Sequence, residues 1–143
     1  LIHYILTDIE GTTTPITFVH DVLFPYAYKR LPDYVKNFKN NAEIRKCLQD
    51  TIETVAQEEN RQISEDEAVN TLLLWIKTDR KHPALKTLQG HIWQEGYESG
   101  VYTSEIYPDV FPNIELWTKK GQNVGIYSSG SIQAQKLLFG HTS

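Results

Sequence analysis

The chain has 143 residues, of which 40% are apolar and 22% charged, and its formal net charge is −4. That length supports one compact domain with a core and is short for two, and the composition is that of a globular protein. The mild acidity leaves no basic footprint for nucleic acid or an anionic membrane, and the single cysteine, Cys47, excludes an internal disulfide and thiolate-rich metal sites.

Tyr4-Ile5-Leu6 is a short apolar run that breaks at Asp8 and suggests a buried strand. From Phe18 to about Asn40 a rough helical spacing is interrupted by Pro25 and Pro32, which predicts two short helices or one broken at a proline. "NNAEIRKCLQDTIETVAQEEN" is an amphipathic helix with Ile44, Leu48, Ile52 and Val55 on one face, and Cys47 falls at core spacing among them. Ser64, with Glu67 three residues on, forms a capping-box pattern before a stripe of Ala68, Leu72, Trp75 and Ile76. Pro83 starts the next helix, with Leu85, Leu88, Ile92 and Trp93 facing inward. "YPDVFPNIELWTKKG" is a helix stopped by Gly121, "NVGIY" (Asn123 to Tyr127) a second apolar strand, and "SIQAQKLLFG" a helix ended by Gly140. Two strands do not make a stable sheet alone, so either the helical middle forms its own bundle beside a tiny sheet or further strands lie beyond Ser143, which is the preferred reading. The chain opens at Leu1 and contains no methionine, and the natural product is expected to be longer. No run approaches the ~20 apolar residues of a membrane span, and there is no signal-peptide pattern, which points to a cytoplasmic protein. The mild acidity and the lack of a long heptad or strongly apolar stretch lead to the expectation of a monomer.

The chemistry gathers at the two strand ends. Asp8 and Glu10 are two apart after a strand, so in extended geometry they share a direction, and Gly11 permits the turn that follows. Two such carboxylates can bind Mg²⁺, or one can attack an electrophile while the other exchanges a proton; the plainer reading is a solvated acidic turn. At the second strand end, Ser128 and Ser129 precede Gly130 and Ser131 at the mouth of a helix, which suits either a phosphate site or an ordinary N-cap. Ligands of open α/β sheets collect at the carboxyl ends of strands, and acids for a cation beside donors for phosphate make phosphoryl transfer the leading reading. Thr12, Thr13 and Thr14 fit turn support, and Trp75, Trp93 and Trp117 fit a core, with Trp93 also placed to line a pocket. Asp79-Arg80-Lys81 reads as a solvated helix end with room for substrate contact, and Lys136 as a solvated side chain.

"ILTDIEGTTTPITFV" together with "VGIYSSGSIQAQKLLFG" resembles the haloacid dehalogenase superfamily of phosphohydrolases, and more narrowly the enolase-phosphatases (acireductone synthases) of methionine salvage. The superfamily signature is D-x-D-G-T; here it is Asp8-Ile9-Glu10-Gly11-Thr12, with the glutamate of the narrower family. "ALKTLQGHIWQEGY" resembles that family's helical cap. The resemblance implies a Rossmannoid α/β core of parallel strands, from residues 1–15 and 116–143 with its C-terminal half lacking, and an inserted all-helical cap at 16–115. It implies Mg²⁺-dependent conversion of 2,3-diketo-5-methylthiopentyl-1-phosphate to the dihydroxy acireductone and phosphate. Asp8 would be the nucleophile, Glu10 the acid and base, both would sit at the metal, and Ser128 and Ser129 would hold the phosphate. The enolisation base is left open between Glu10 and, more weakly, His91. One alternative is another capped phosphomonoesterase of the same superfamily; the other is a non-catalytic phospholigand binder, because the superfamily's later lysine and acidic motifs have no match here.

Overall fold

A parallel pair of strands brings the two ends of the chain together in the computed structural model, which describes residues 1–142. Strand β1 (Tyr4–Thr7) pairs with β2 (Asn123–Ile126), in register from Tyr4 opposite Asn123 to Thr7 opposite Ile126. Between them lie α1 (Ile16–Phe18), α2 (Phe24–Phe38), α3 (Ala42–Glu59), α4 (Glu65–Lys77), α5 (Pro83–Glu98) and α6 (Val110–Lys119); α7 (Ile132–Gly140) follows β2. Ser143, the last residue of the expected 116–143 segment, lies outside the described residues.

Two features depart from the sequence expectations. Strand β1 is not buried: Tyr4 and Leu6 are 73% and 70% exposed, because the two-stranded sheet is covered on one face only. The proline-rich stretch is not broken either. Helix α1 runs through a π-helical turn, Val19–Leu23, into α2. Both prolines are carried within this continuous run, Pro25 at the second position of α2, directly after the π-helical turn, and Pro32 inside α2.

The other helix signals appear as expected. Asn41 accepts the amides of Glu43 and Ile44 at the start of α3. Ser64 and Glu67 complete a reciprocal capping box at α4, with bonds of 2.8 and 3.2 Å. The stripes of α2 to α5 close into one apolar cluster that includes Leu31, Leu48, Leu72, Leu88 and Cys47. A second cluster joins Ile9, Phe18, Val19, Leu23 and Tyr97 to Leu137 and Leu138 of α7, tying the helical part to the sheet. The outgoing and returning chain crossings lie side by side: the Tyr107 N–H donates to the Thr13 carbonyl at 3.0 Å, and the Thr14 hydroxyl donates to the Glu105 carbonyl. Among the described residues no helix is long and apolar enough to cross a membrane.

Candidate active site

Beyond the last paired residues, the Tyr127 N–H donates to the Thr7 carbonyl at 2.9 Å. Parallel strands leave the sheet on the same side, so Asp8 and Ser128 emerge next to each other, where an α/β sheet gathers ligands. Asp8 borders a surface cleft with Tyr127, Ser128 and Ser129. Glu10 lines an adjoining, deeper cavity whose wall is also formed by Ser128 and Ser129. The two serines are thus common to both spaces, and the four residues singled out from the sequence meet around them. Both carboxylates are exposed to solvent.

The first loop is fixed by its own backbone. Ile9 is buried and anchors it, and the amides of Thr12, Thr13 and Thr14 converge on the Ile9 carbonyl at 3.0 to 3.1 Å. Gly11 has φ +74, in the left-handed region that glycine adopts without strain, and its N–H donates to the Thr14 carbonyl at 2.8 Å. The Thr13 hydroxyl also donates to Ile9, so Thr13 and Thr14 support the turn. Asp8 Oδ1 accepts the Ile9 amide at 2.7 Å, leaving its other oxygen for a ligand.

The second loop divides its tasks. Ser131 accepts the Ala134 amide at 3.1 Å and is an ordinary N-cap of α7. Ser128 Oγ accepts the Gly130 amide at 3.2 Å, and the Gly130 carbonyl accepts from Gln135 Nε2 at 2.9 Å. Lys86, on α5, reaches across to donate from Nζ to the Ser129 carbonyl at 2.8 Å.

Helices α4 and α5 and the π-helical turn supply the opposite wall of the cavity. Its apolar part includes Leu23, Phe24, Trp75 and Trp93; the Phe24 and Trp93 rings are parallel, with centroids 6.2 Å apart. Its polar part comprises Asp79, Arg80, Lys81, Lys86 and Gln89. Arg80 lies over the Trp75 ring and forks onto Glu58 at 2.6 and 2.9 Å, and these bonds hold the Glu58 carboxyl below its ordinary range. Asp79, at φ +51, pairs with Lys81 at 2.9 Å. The run expected at a solvated helix end therefore borders the site.

His91 is not brought to the cavity; its Nε2 pairs with Glu43 at 2.8 Å. Lys136 is exposed on α7, and Trp117 is half-buried on α6. Lys86 and Gln89 were missed by sequence reasoning. Gln89 carried a usable signal, a glutamine among Leu85, Leu88 and Ile92 on the buried stripe. Among the described residues no group of three or more His, Cys, Asp or Glu side chains is placed to hold a metal ion.

No protein-family model matches the chain. Over its whole length it is similar to curated proteins named enolase-phosphatase E1. Identity is 46% with the protein of Sulfurihydrogenibium sp. strain YO3AOP1, covering 100% of this chain and 61% of the relative. It is 48% with that of Alcanivorax borkumensis, covering 99% and 62%, and 44% with that of Aquifex aeolicus, covering 99% and 62%. The chain thus spans about three fifths of the length of these relatives. Its fold is similar to the crystal structure of the UTR4 protein of Saccharomyces cerevisiae, with TM-score 0.71 and 37% identity over 97% of this chain and 56% of that one.

Proposed function

We infer that this chain, a relative of the enolase-phosphatases from end to end, carries the catalytic strand ends and helical cap of a haloacid dehalogenase-type, Mg²⁺-dependent enolase-phosphatase. Its substrate is the small phosphorylated diketone 2,3-diketo-5-methylthiopentyl-1-phosphate and its products are the dihydroxy acireductone and phosphate, in cytoplasmic methionine salvage. The convergence of Asp8 and Glu10 with Ser128 and Ser129 at one end of a parallel sheet carries this reading. The chain divides in this reading into an α/β part (1–15 and 116–143) and a cap (16–115): the first apolar cluster lies wholly within 16–115, and the second spans the boundary between the two parts.

Asp8 attacks phosphorus, and the bond from phosphorus to the substrate oxygen breaks as that oxygen takes a proton from Glu10. Glu10 then removes a proton from water, which attacks the aspartyl-phosphate, breaks its bond to Asp8 and releases phosphate. Ser128 and Ser129 donate to the phosphoryl oxygens, which need aligned donors more than covalent help. In the enolisation step a base takes the proton from the carbon beside a carbonyl; Glu10 borders the cavity where that carbon would lie, whereas His91 is committed to Glu43.

Two carboxylates with room for water match the donor set of Mg²⁺, a hard cation bound through one or two carboxylates while keeping several waters. Asp8 and Glu10 would hold it. When bound, it supplies the charge that lets a carboxylate approach a phosphate dianion and polarises the substrate oxygens. The parallel Phe24 and Trp93 rings provide an apolar wall suited to a thioether tail.

A substrate panel tests the assignment. The diketo phosphate is expected to yield both phosphate and a new conjugated chromophore. Phosphate release from simple monoesters, with no chromophore from the diketone, would instead indicate a different phosphatase of this superfamily.

A further inference from the structure

Lys86 reaches from α5 across the cavity to the loop after β2, and its Nζ donates to the Ser129 carbonyl at 2.8 Å. The same peptide unit carries the Gly130 N–H, which donates to Ser128 Oγ at 3.2 Å. A hydroxyl has one proton and two acceptor lone pairs. With one lone pair occupied by Gly130, the Ser128 hydroxyl is turned so that its own proton is free to donate elsewhere. Ser128 faces both the cleft of Asp8 and the cavity of Glu10. Hydrogen bonds in such a chain polarise one another, and a charged donor at its head is the strong form.

Resting on the phosphatase reading of this site, we propose that Lys86 is a positioning residue. It fixes the Ser129–Gly130 peptide so that Gly130 orients the Ser128 hydroxyl toward a bound phosphate. The lysine acts through two other residues and sits on the helical part of the chain, 43 positions before the loop it orients. The donor geometry of the phosphate loop is therefore complete only when α5 is docked over it. Neighbouring contacts share this junction: Gln133 of α7 donates to Gln94 of α5 at 3.0 Å, and a side chain at Gly90 would meet Gln133 Oε1 at 2.6 Å.

The test is a thermodynamic cycle read by inorganic phosphate binding, using calorimetry on the purified protein with Mg²⁺. Lys86→Met is expected to raise the phosphate Kd about tenfold, the scale of one hydrogen bond to a charged group. In a Ser128→Ala background the same change should cost less than about threefold, because the relay has lost its end point. Lys86→Arg, which keeps the charge and a donor, should restore binding to within about threefold and controls for folding. The Gly130 amide resonance should shift in Lys86→Met and stay in place in Lys136→Met. An equal loss with and without Ser128, or no loss, would overturn the relay while leaving the phosphatase reading intact. A wild-type protein that binds no phosphate would overturn that reading and the relay with it.

Discussion

His82 Nδ1 accepts the Ala84 amide at 3.1 Å and so caps α5, the helix that brings Lys86, Gln89 and Trp93 to the cavity. A nitrogen that accepts is unprotonated, so the proton of the neutral ring sits on Nε2, 2.9 Å from the Thr54 hydroxyl. The ring also packs on Trp75, 4.6 Å between centroids. Burial, and secondarily Arg80, lower the His82 pKa from its ordinary value of 6.5, against smaller opposing effects of Asp50 and Glu58.

A pH dependence follows from this cap. A histidine whose pKa is lower in the folded state binds more protons when unfolded, so its contribution is present above pH 6.5 and is lost as pH falls through the folded value. Thermal melts between pH 7.5 and 5 are expected to show Tm declining over that range. His82→Asn keeps a capping oxygen without the titration and should flatten the part of the slope due to this residue. An unchanged slope would contradict the assignment of the cap.

Gly96 tests the junction between α5 and the returning chain. A side-chain carbon there would lie 2.5 Å from the Tyr102 hydroxyl and 2.7 Å from its ring. Tyr102 packs edge-on against Phe18, Tyr26 and Tyr97, so the ring has little freedom to retreat. Gly96→Ala is expected to destabilise the protein by about 1–3 kcal/mol in urea unfolding, despite alanine's better helix propensity. A stabilised variant would show that Tyr102 is free to move.

Glu10 is exposed and makes no contribution to either apolar cluster, so Glu10→Gln should fold normally. Because Glu10 is the proposed proton donor and acceptor of the phosphatase steps, its loss is expected to lower kcat by about 10²–10⁴, the usual worth of general acid–base catalysis. Phosphate release at the wild-type rate would remove Glu10 from that role.

Much of this was legible in the residues because the signals were local. The Ser64–Glu67 box, Pro83 at a helix start, and glycines after α6 and in the first loop each decide backbone shape within a few positions. The strand ends could be placed together because parallel strands share a direction. What escaped was long-range. The open face of β1 and the contact of Lys86 with Ser129 depend on residues far apart in the chain. No spacing within "ALKTLQ" distinguishes a lysine aimed at a loop from one aimed at water.

The most direct measurement is phosphate release from the diketo phosphate by the purified protein, with and without Mg²⁺, beside an Asp8→Asn variant. The account predicts turnover that requires the metal and falls by about three orders of magnitude or more when the nucleophile is removed. Turnover that persists in folded Asp8→Asn protein, or that ignores Mg²⁺, would contradict it.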